Sequence, residues 1–216
     1  MKHFICLLFF SLLNFSLTPE DIALKVEKKL RSLQTIQANF DQIYYSSSVS
    51  TPLREKGKFY FKKPDLMRWE YKNPEEKIFL YKEGVFLFYI PEDKELFRSS
   101  LSKEKYESEI LLLLSGKKSL NDDYLIESSP FPSENQKAHQ LKLTPREEGE
   151  YTHILLEINE KTWLIQKAIF FDWAGSKSEF KFSQIKTNVR LPNKIFELKV
   201  PPDVEIIDDE SYKKNE

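Results

Sequence analysis

Apolar positions recur along this chain with two different periods. Between Pro19 and Leu33, Ile22, Val26, Leu30 and Leu33 stand three or four residues apart, the spacing of one helix face. Lys25, Glu27, Lys28 and Lys29 fill the positions between them. Thr18 is a capping residue, Pro19 suits the first helical position, and Glu20 and Asp21 favour the positive end of the helix dipole. The pattern predicts an amphipathic helix over 19–33 whose apolar stripe needs a surface to lie on.

From Gln37 the period drops to two. Short segments rich in Phe, Tyr, Ile and Val alternate with Gly, Pro, Asn and charged pairs, the signature of strands joined by tight turns. Strands are predicted over 37–45, 56–63, 66–72, 77–82, 85–90 and 95–98. A second group is predicted over 123–128, 139–144, 151–159, 162–173, 177–187 and 194–199. Their short connections predict an antiparallel meander. Between the groups, Ser102 to Leu114 carries Tyr106, Ile110, Leu111 and Leu114 ahead of Gly116. That order predicts a helix ending at a glycine. Ser119 to Asp123 predicts one more short turn.

Within strand 56–63, Gly57, Phe59, Phe61 and Lys63 share one face, and Lys58, Tyr60 and Lys62 the other. The next strand puts Met67, Trp69 and Tyr71 opposite Leu66, Arg68 and Glu70. One face is apolar and one is solvated, as antiparallel sheets allow. The apolar face has to be covered. Either the helices at 19–33 and 102–123 fill it as an ordinary core, or they close over a cavity. Leu111 to Leu114, apolar on all sides, belongs with either.

Composition narrows the function classes. Net charge is −1, which leaves no electrostatic footprint for nucleic acid. Phe contributes 17 residues, a large apolar area for a core or a cavity lining. The five glycines are scattered, so no phosphate-cradling loop exists. Cys6 is the single cysteine, so no intrachain disulfide and no cysteine-based metal site forms.

Met1-Lys2-His3 is basic and precedes an apolar run from Phe4 to Leu13, too short for the about 20 residues of a bilayer span. It has the layout of a secretory signal peptide, expected over 1–17. Cys6 lies at the start of the run, not at its end where a lipid-anchored cysteine stands, and leaves with the leader. One domain over 18–207 and a polar tail over 208–216 are expected.

Catalytic chemistry finds little support. His139 and His153 have no metal-type spacing. Ser176 follows Gly175 without a nucleophile elbow. Asp122 and Asp123 suit a helix cap and Asp172 a turn. Trp163 and Trp173 are expected to pack. No enzyme activity and no cofactor are expected.

The order of particular residues then carries a resemblance. Ala38-x-Phe40-x-Gln42 is followed by Gly57-x-Phe59-x-Phe61-x-Lys63-Pro64, by Met67-Arg68-Trp69-x-Tyr71 and by Pro74. Gly84, Tyr89, Leu143-x-Pro145, Asp172-x-x-Gly175, Phe196, Pro201-Pro202-Asp203-Val204 and Ile207 follow in order. In this the chain resembles LolA, the family of periplasmic carriers of outer-membrane lipoproteins, over essentially all of 18–207. The stretch from Gly57 to Pro74 is the most specific.

The resemblance implies an α+β, mainly β fold: an incomplete, strongly curved antiparallel barrel with a helical lid over an apolar cavity. It implies a monomeric periplasmic chaperone. Its cargo is triacylated lipoproteins, received from an inner-membrane ABC transporter and passed to an outer-membrane receptor. The alternative is another exported acyl-lipid binder on a similar half-barrel, such as that receptor or a lipid sensor. Phe40, Phe59, Phe61, Met67, Trp69, Tyr71, Leu111 and Leu114 are the expected lipid-binding residues. Ile22, Val26, Leu30 and Leu33 form the lid face. In the family a basic residue before the motif proline latches the lid. Here it is Lys63, where arginine is common, and lysine keeps the charge without the planar fork. Met67 stands where the family has a bulky apolar residue important to cargo transfer.

Overall fold

The computed structural model describes residues 17–100, 119–129 and 137–209. Cys6 and the other residues before Leu17, where the leader is expected, the predicted helix over 102–114 with Leu111 and Leu114, and the residues beyond Asp209 lie outside the described residues.

Twelve strands form one open, curved sheet. The first six are β1 Thr35–Tyr45, β2 Leu53–Lys62, β3 Leu66–Asn73, β4 Lys77–Lys82, β5 Val85–Ile90 and β6 Glu95–Ser100. The rest are β7 Tyr124–Ser128, β8 Ala138–Pro145, β9 Tyr151–Asn159, β10 Ile165–Asp172, β11 Lys177–Thr187 and β12 Glu205–Asp208. The spatial order is β12-β6-β5-β4-β3-β2-β1-β11-β10-β9-β8-β7. Two hairpin meanders are therefore joined along one seam, where β1 pairs antiparallel with β11 from Ile36↔Thr187 to Tyr45↔Lys177. The two predicted strand groups correspond to these meanders.

Helix α1, Pro19–Ser32, starts as its sequence predicts. Asp21 N–H donates to Thr18 Oγ1 at 3.2 Å and Thr18 N–H to the Asp21 carboxylate at 3.1 Å, a reciprocal capping box. Ile22, Ala23, Val26 and Leu30 are buried, with Leu33 just beyond the C-terminus. A short helix α2, Leu120–Asp123, is capped by Ser119 and packs with α1 and β7.

Several expectations change. Residues 194–199 are not a strand: Asn193–Phe196 form a 3-10 turn. Phe196, 1% exposed, packs with Leu80 and Leu191 on the outer face, alongside Tyr60, Leu66 and Leu87. That face is consequently not wholly solvated. The segment over 188–198 straps it, held by Lys62 Nζ on Asn193 Oδ1 at 2.6 Å and by Arg68 Nη1 on the Glu197 carbonyl at 3.3 Å. Flanking prolines Pro192 and Pro201 lack the N–H a ladder needs, which favours a strap over a thirteenth strand.

The sheet is also not purely antiparallel, because β12 joins the edge strand β6 in parallel, Glu205↔Glu95 to Asp208↔Arg98. Asp208, where the polar tail was expected to begin, takes both Arg98 Nε and Nη2 at 2.6 and 2.8 Å, a bidentate pair. Strand β10 begins at Ile165 rather than 162, since the Asn159 side chain accepts from the Lys161 and Thr162 N–H groups and turns the chain. Glu27, expected on the polar side of α1, is buried.

Candidate functional site

The concave face of the sheet builds the site. Alternation sends Ile36, Ala38 and Phe40 of β1, Phe59 and Phe61 of β2, and Met67, Trp69 and Tyr71 of β3 to one side, and all are buried. Phe40 meets Trp69 and Tyr71 edge-on, each with ring centroids 4.9 Å apart, and Phe59 lies 4.5 Å from Trp69. From the other meander Phe180 reaches to 5.5 Å from Trp69. The six sheet residues predicted for lipid contact, Phe40, Phe59, Phe61, Met67, Trp69 and Tyr71, thus share one buried apolar layer, aromatic at its centre.

This face is partly filled and partly open. Ile22, Val26 and Leu30 of α1, with Leu33 at its C-cap, share one core with Phe59, Phe61, Leu141 and Leu156. Only about 20 Å³ remains empty where Leu30 meets Ile36, Ala38, Phe59 and Phe182. There the helix acts as an ordinary core element. Farther along the same face a cavity of about 260 Å³ remains. It is lined by Met67, Trp69, Tyr71, Phe79, Phe86, Tyr151 and Phe180, with Glu150 beside them. Phe88 and Phe97 continue the half-buried aromatic stripe toward the edge, Phe88 stacking 4.2 Å from Phe79.

One end of the interior is polar. Gln42 pairs across β1 and β2 with Glu55, and Tyr71 pairs across β3 and β4 with Lys77. Tyr71 donates its hydroxyl to Gln42 Oε1 at 2.7 Å. Lys77 Nζ lies 2.5 Å from the Glu55 carboxylate and 5.0 Å from the centre of the Tyr71 ring. Burial, and after it the negative charge of Glu55, pushes the Tyr71 phenol well above its ordinary range. It stays a neutral donor at any physiological pH.

Two contacts hold the C-terminal half of α1. Lys63 Nζ donates to the Arg31 carbonyl at 2.5 Å, a cation on a free helix-end carbonyl. Glu27 Oε1 accepts from the Leu120 and Asn121 N–H groups at 2.5 and 3.4 Å. Its other oxygen is 3.2 Å from Arg31 Nη2. Glu27, Gln42, Glu55, Lys77, Phe79, Phe86, Tyr151 and Phe180 were not singled out from the sequence as site residues. The signal for Glu27 was present, because it stands four residues after Ala23 and three before Leu30.

The remaining candidates have structural partners. Asp172 accepts from the Ser176 N–H at 2.8 Å within the β10–β11 turn, and the Ser176 hydroxyl accepts from Ser47 N–H at 3.1 Å. Asp123 caps its own helix, accepting from Ser119 N–H at 3.0 Å. His139 stacks on Trp163. Trp173 does not pack as expected: it is 68% exposed, tethered by Nε1 to the Gly149 carbonyl at 2.9 Å. Among the described residues, no group of three His, Cys, Asp or Glu side chains is placed to hold a metal ion.

His153 stacks on Phe171 at 4.2 Å. Its pKa is lowered, first by desolvation and then by the charge of Lys142. A depressed pKa means the fold prefers the neutral ring. The stabilisation is complete above the ordinary value of about 6.5 and is lost as pH falls through the folded value. The ring should titrate below about 6.5 when its Cε1 proton is followed by NMR. A midpoint at or above that value contradicts this environment.

Comparison with known proteins follows the same outline. The chain is 28% identical over 208 residues to an outer-membrane lipoprotein carrier protein of Legionella pneumophila (strain Corby), covering 94% of this chain and 96% of that one. It is 25% identical over 186 residues to the protein so named in Methylococcus capsulatus, covering 86% of each. A solved structure of an uncharacterized conserved protein from Thermus thermophilus shares the fold at a TM-score of 0.56 and 16% identity, covering 88% of this chain and 98% of that one. The family model described as outer membrane lipoprotein carrier protein LolA matches residues 31–199. That span takes in the aromatic layer, the cavity and the polar end, and the chain belongs to the LolA family.

Proposed function

We propose that this protein is a periplasmic chaperone that shelters lipoprotein acyl chains against its concave aromatic face and carries them from the inner to the outer membrane. The cavity lined by Met67, Trp69, Tyr71, Phe79, Phe86 and Phe180 carries this reading. It joins with the names of the curated relatives. Exposing an acyl chain to water costs about 0.8 kcal/mol per methylene, on the order of 10 kcal/mol for one long chain. Unaided transfer across the periplasm is therefore slow, and an apolar shelter removes most of that cost.

The carrier must also release its load. A cavity of about 260 Å³ lies below the roughly 300–1,000 Å³ of sites for single small ligands. Three acyl chains need more, so loading displaces α1 and its face of Ile22, Val26, Leu30 and Leu33. Lys63 is the latch of this lid, through its bond to the Arg31 carbonyl. One such bond contributes about 1–2 kcal/mol, enough to bias the lid and little enough to be overcome by cargo. Replacing Lys63 with Met keeps the stem and removes the donor. Lipopeptide affinity should rise by up to about five- to thirtyfold, as the closed form no longer competes as strongly. Unchanged affinity measured by fluorescence displacement would remove the latch role.

The lipoproteins are received from an inner-membrane ABC transporter and delivered to an outer-membrane receptor. Depletion followed by membrane fractionation tests this. Lipoproteins should accumulate in the inner membrane, and unchanged sorting would refute the carrier role.

A further inference from the structure

The interior is apolar at one end and polar at the other, and this asymmetry bears on which way a ligand lies. At the α1 C-terminal end, Ile36, Phe61 and Met67 face inward across three successive strands. Toward the opposite end of the same strands the inward positions become Gln42, Glu55, Tyr71 and Lys77. The cavity between them touches both kinds of surface, with Met67 and Phe86 at one side and Tyr71, Tyr151 and Glu150 at the other.

We infer that Tyr71 and Gln42 form a head-group subsite that takes the neutral amide or ester end of an acylated ligand and rejects a free carboxylate. The inference rests on the carrier reading and adds orientation and head-group selectivity to it. The acyl chain lies toward Met67, Trp69 and Phe86. The head lies at the end bearing the turns at 46–52, 74–76, 146–150 and 173–176.

The chemistry of this end sets the preference. The Tyr71 hydroxyl now donates to Gln42 Oε1 at 2.7 Å. A modest rotation retargets that donor to a ligand carbonyl. Gln42 then offers its amide N–H to a second carbonyl and its oxygen to an amide N–H, so an amide head replaces one internal bond with several.

A carboxylate head fares worse. Glu55 is 5% exposed and Glu150 borders the cavity. Lys77, the cation of this group, is already paired with Glu55. A second anion here is desolvated and meets like charge, which disfavours the ionised form.

The test uses the mature protein loaded with N-phenyl-1-naphthylamine, a dye that fluoresces in apolar sites. Lauramide and laurate, equal in chain length and different only in the head, compete at pH 8. Lauramide should displace the dye at a concentration about tenfold lower than laurate, given the burial of an unpaired charge. In Tyr71→Phe and Gln42→Leu, both sparing the ring or stem packing, this ratio should fall below about threefold, each competitor being scaled to that variant's own affinity for the dye. Equal potency of the two heads, or a ratio unchanged in both variants, overturns the subsite even where a triacylated lipopeptide displaces the dye. Failure of dye and lipopeptide to bind at all overturns the carrier reading and the subsite with it.

Discussion

Gly57→Ala should lower the stability of this protein by about 3 kcal/mol, the upper range for overpacking a filled site. A Cβ at this position would collide with the Glu70 carbonyl oxygen and lie 2.6 Å from Phe40 Cζ. The aromatic ring can shift, but the carbonyl belongs to the neighbouring strand β3 and moves only with the ladder. The thermal midpoint should drop by roughly 6–12 °C for a chain of this size. Trimming the ring does not help, so Gly57→Ala with Phe40→Leu should be no more stable than Gly57→Ala alone. Gly84 is a useful contrast. It has φ +85° and open space around it, so Ala there costs only the left-handed backbone, about 1 kcal/mol. If calorimetry found the two alanine variants equal, the close approach at Gly57 would not be the reason for its glycine.

Glu27→Ala should cost about 3 kcal/mol. The buried Leu120 N–H and its neighbour Asn121 would lose their acceptor, and an orphaned buried donor costs about 1–3 kcal/mol. Truncating the buried side chain also leaves a small void beneath α2, which adds to this. Glu27→Gln retains an acceptor oxygen and should cost about 1 kcal/mol. Arg31→Ala removes only the exposed end of the ion pair, 56% accessible, and should change stability by less than about 0.5 kcal/mol. Urea unfolding ranks the three, and hydrogen exchange at Leu120 and Asn121 should quicken most in the alanine variant. An Arg31 effect as large as that of Glu27 would mean that the surface pair, not the helix cap, ties α1 to α2.

The strand ladder was legible because alternation is dense here. The segments 77–82, 85–90, 151–159 and 177–187 end where the apolar period ends. Composition left both a filled core and a cavity open, and the fold contains both, a core under Leu30 and a cavity by Tyr71. Residues whose character opposes their position were harder to see. Glu55 continues the inward series Phe61, Phe59, Gly57, but a glutamate at a strand end reads as solvated until Lys77 is brought beside it by two hairpins. Phe196 reads as one more strand residue, and only the third dimension shows that it plugs the outer face against Leu80. The pairing of β12 with β6 joins segments far apart in the chain and has no local signal at all.

The seam between β1 and β11 sets an order of events for the nascent polypeptide. Synthesis runs from the amino end, and β2 to β6 each pair with a strand made moments before. Strand β1 lies at the middle of the finished sheet, yet its second edge waits until residues 177–187 exist. Closing that contact spans on the order of 140 residues, and contacts of such separation slow folding. During the wait, β1 presents an unsatisfied edge beside exposed Phe40, a template for wrong partners. A chain truncated before Lys177 would keep that edge permanently and is the form of this protein most prone to aggregate.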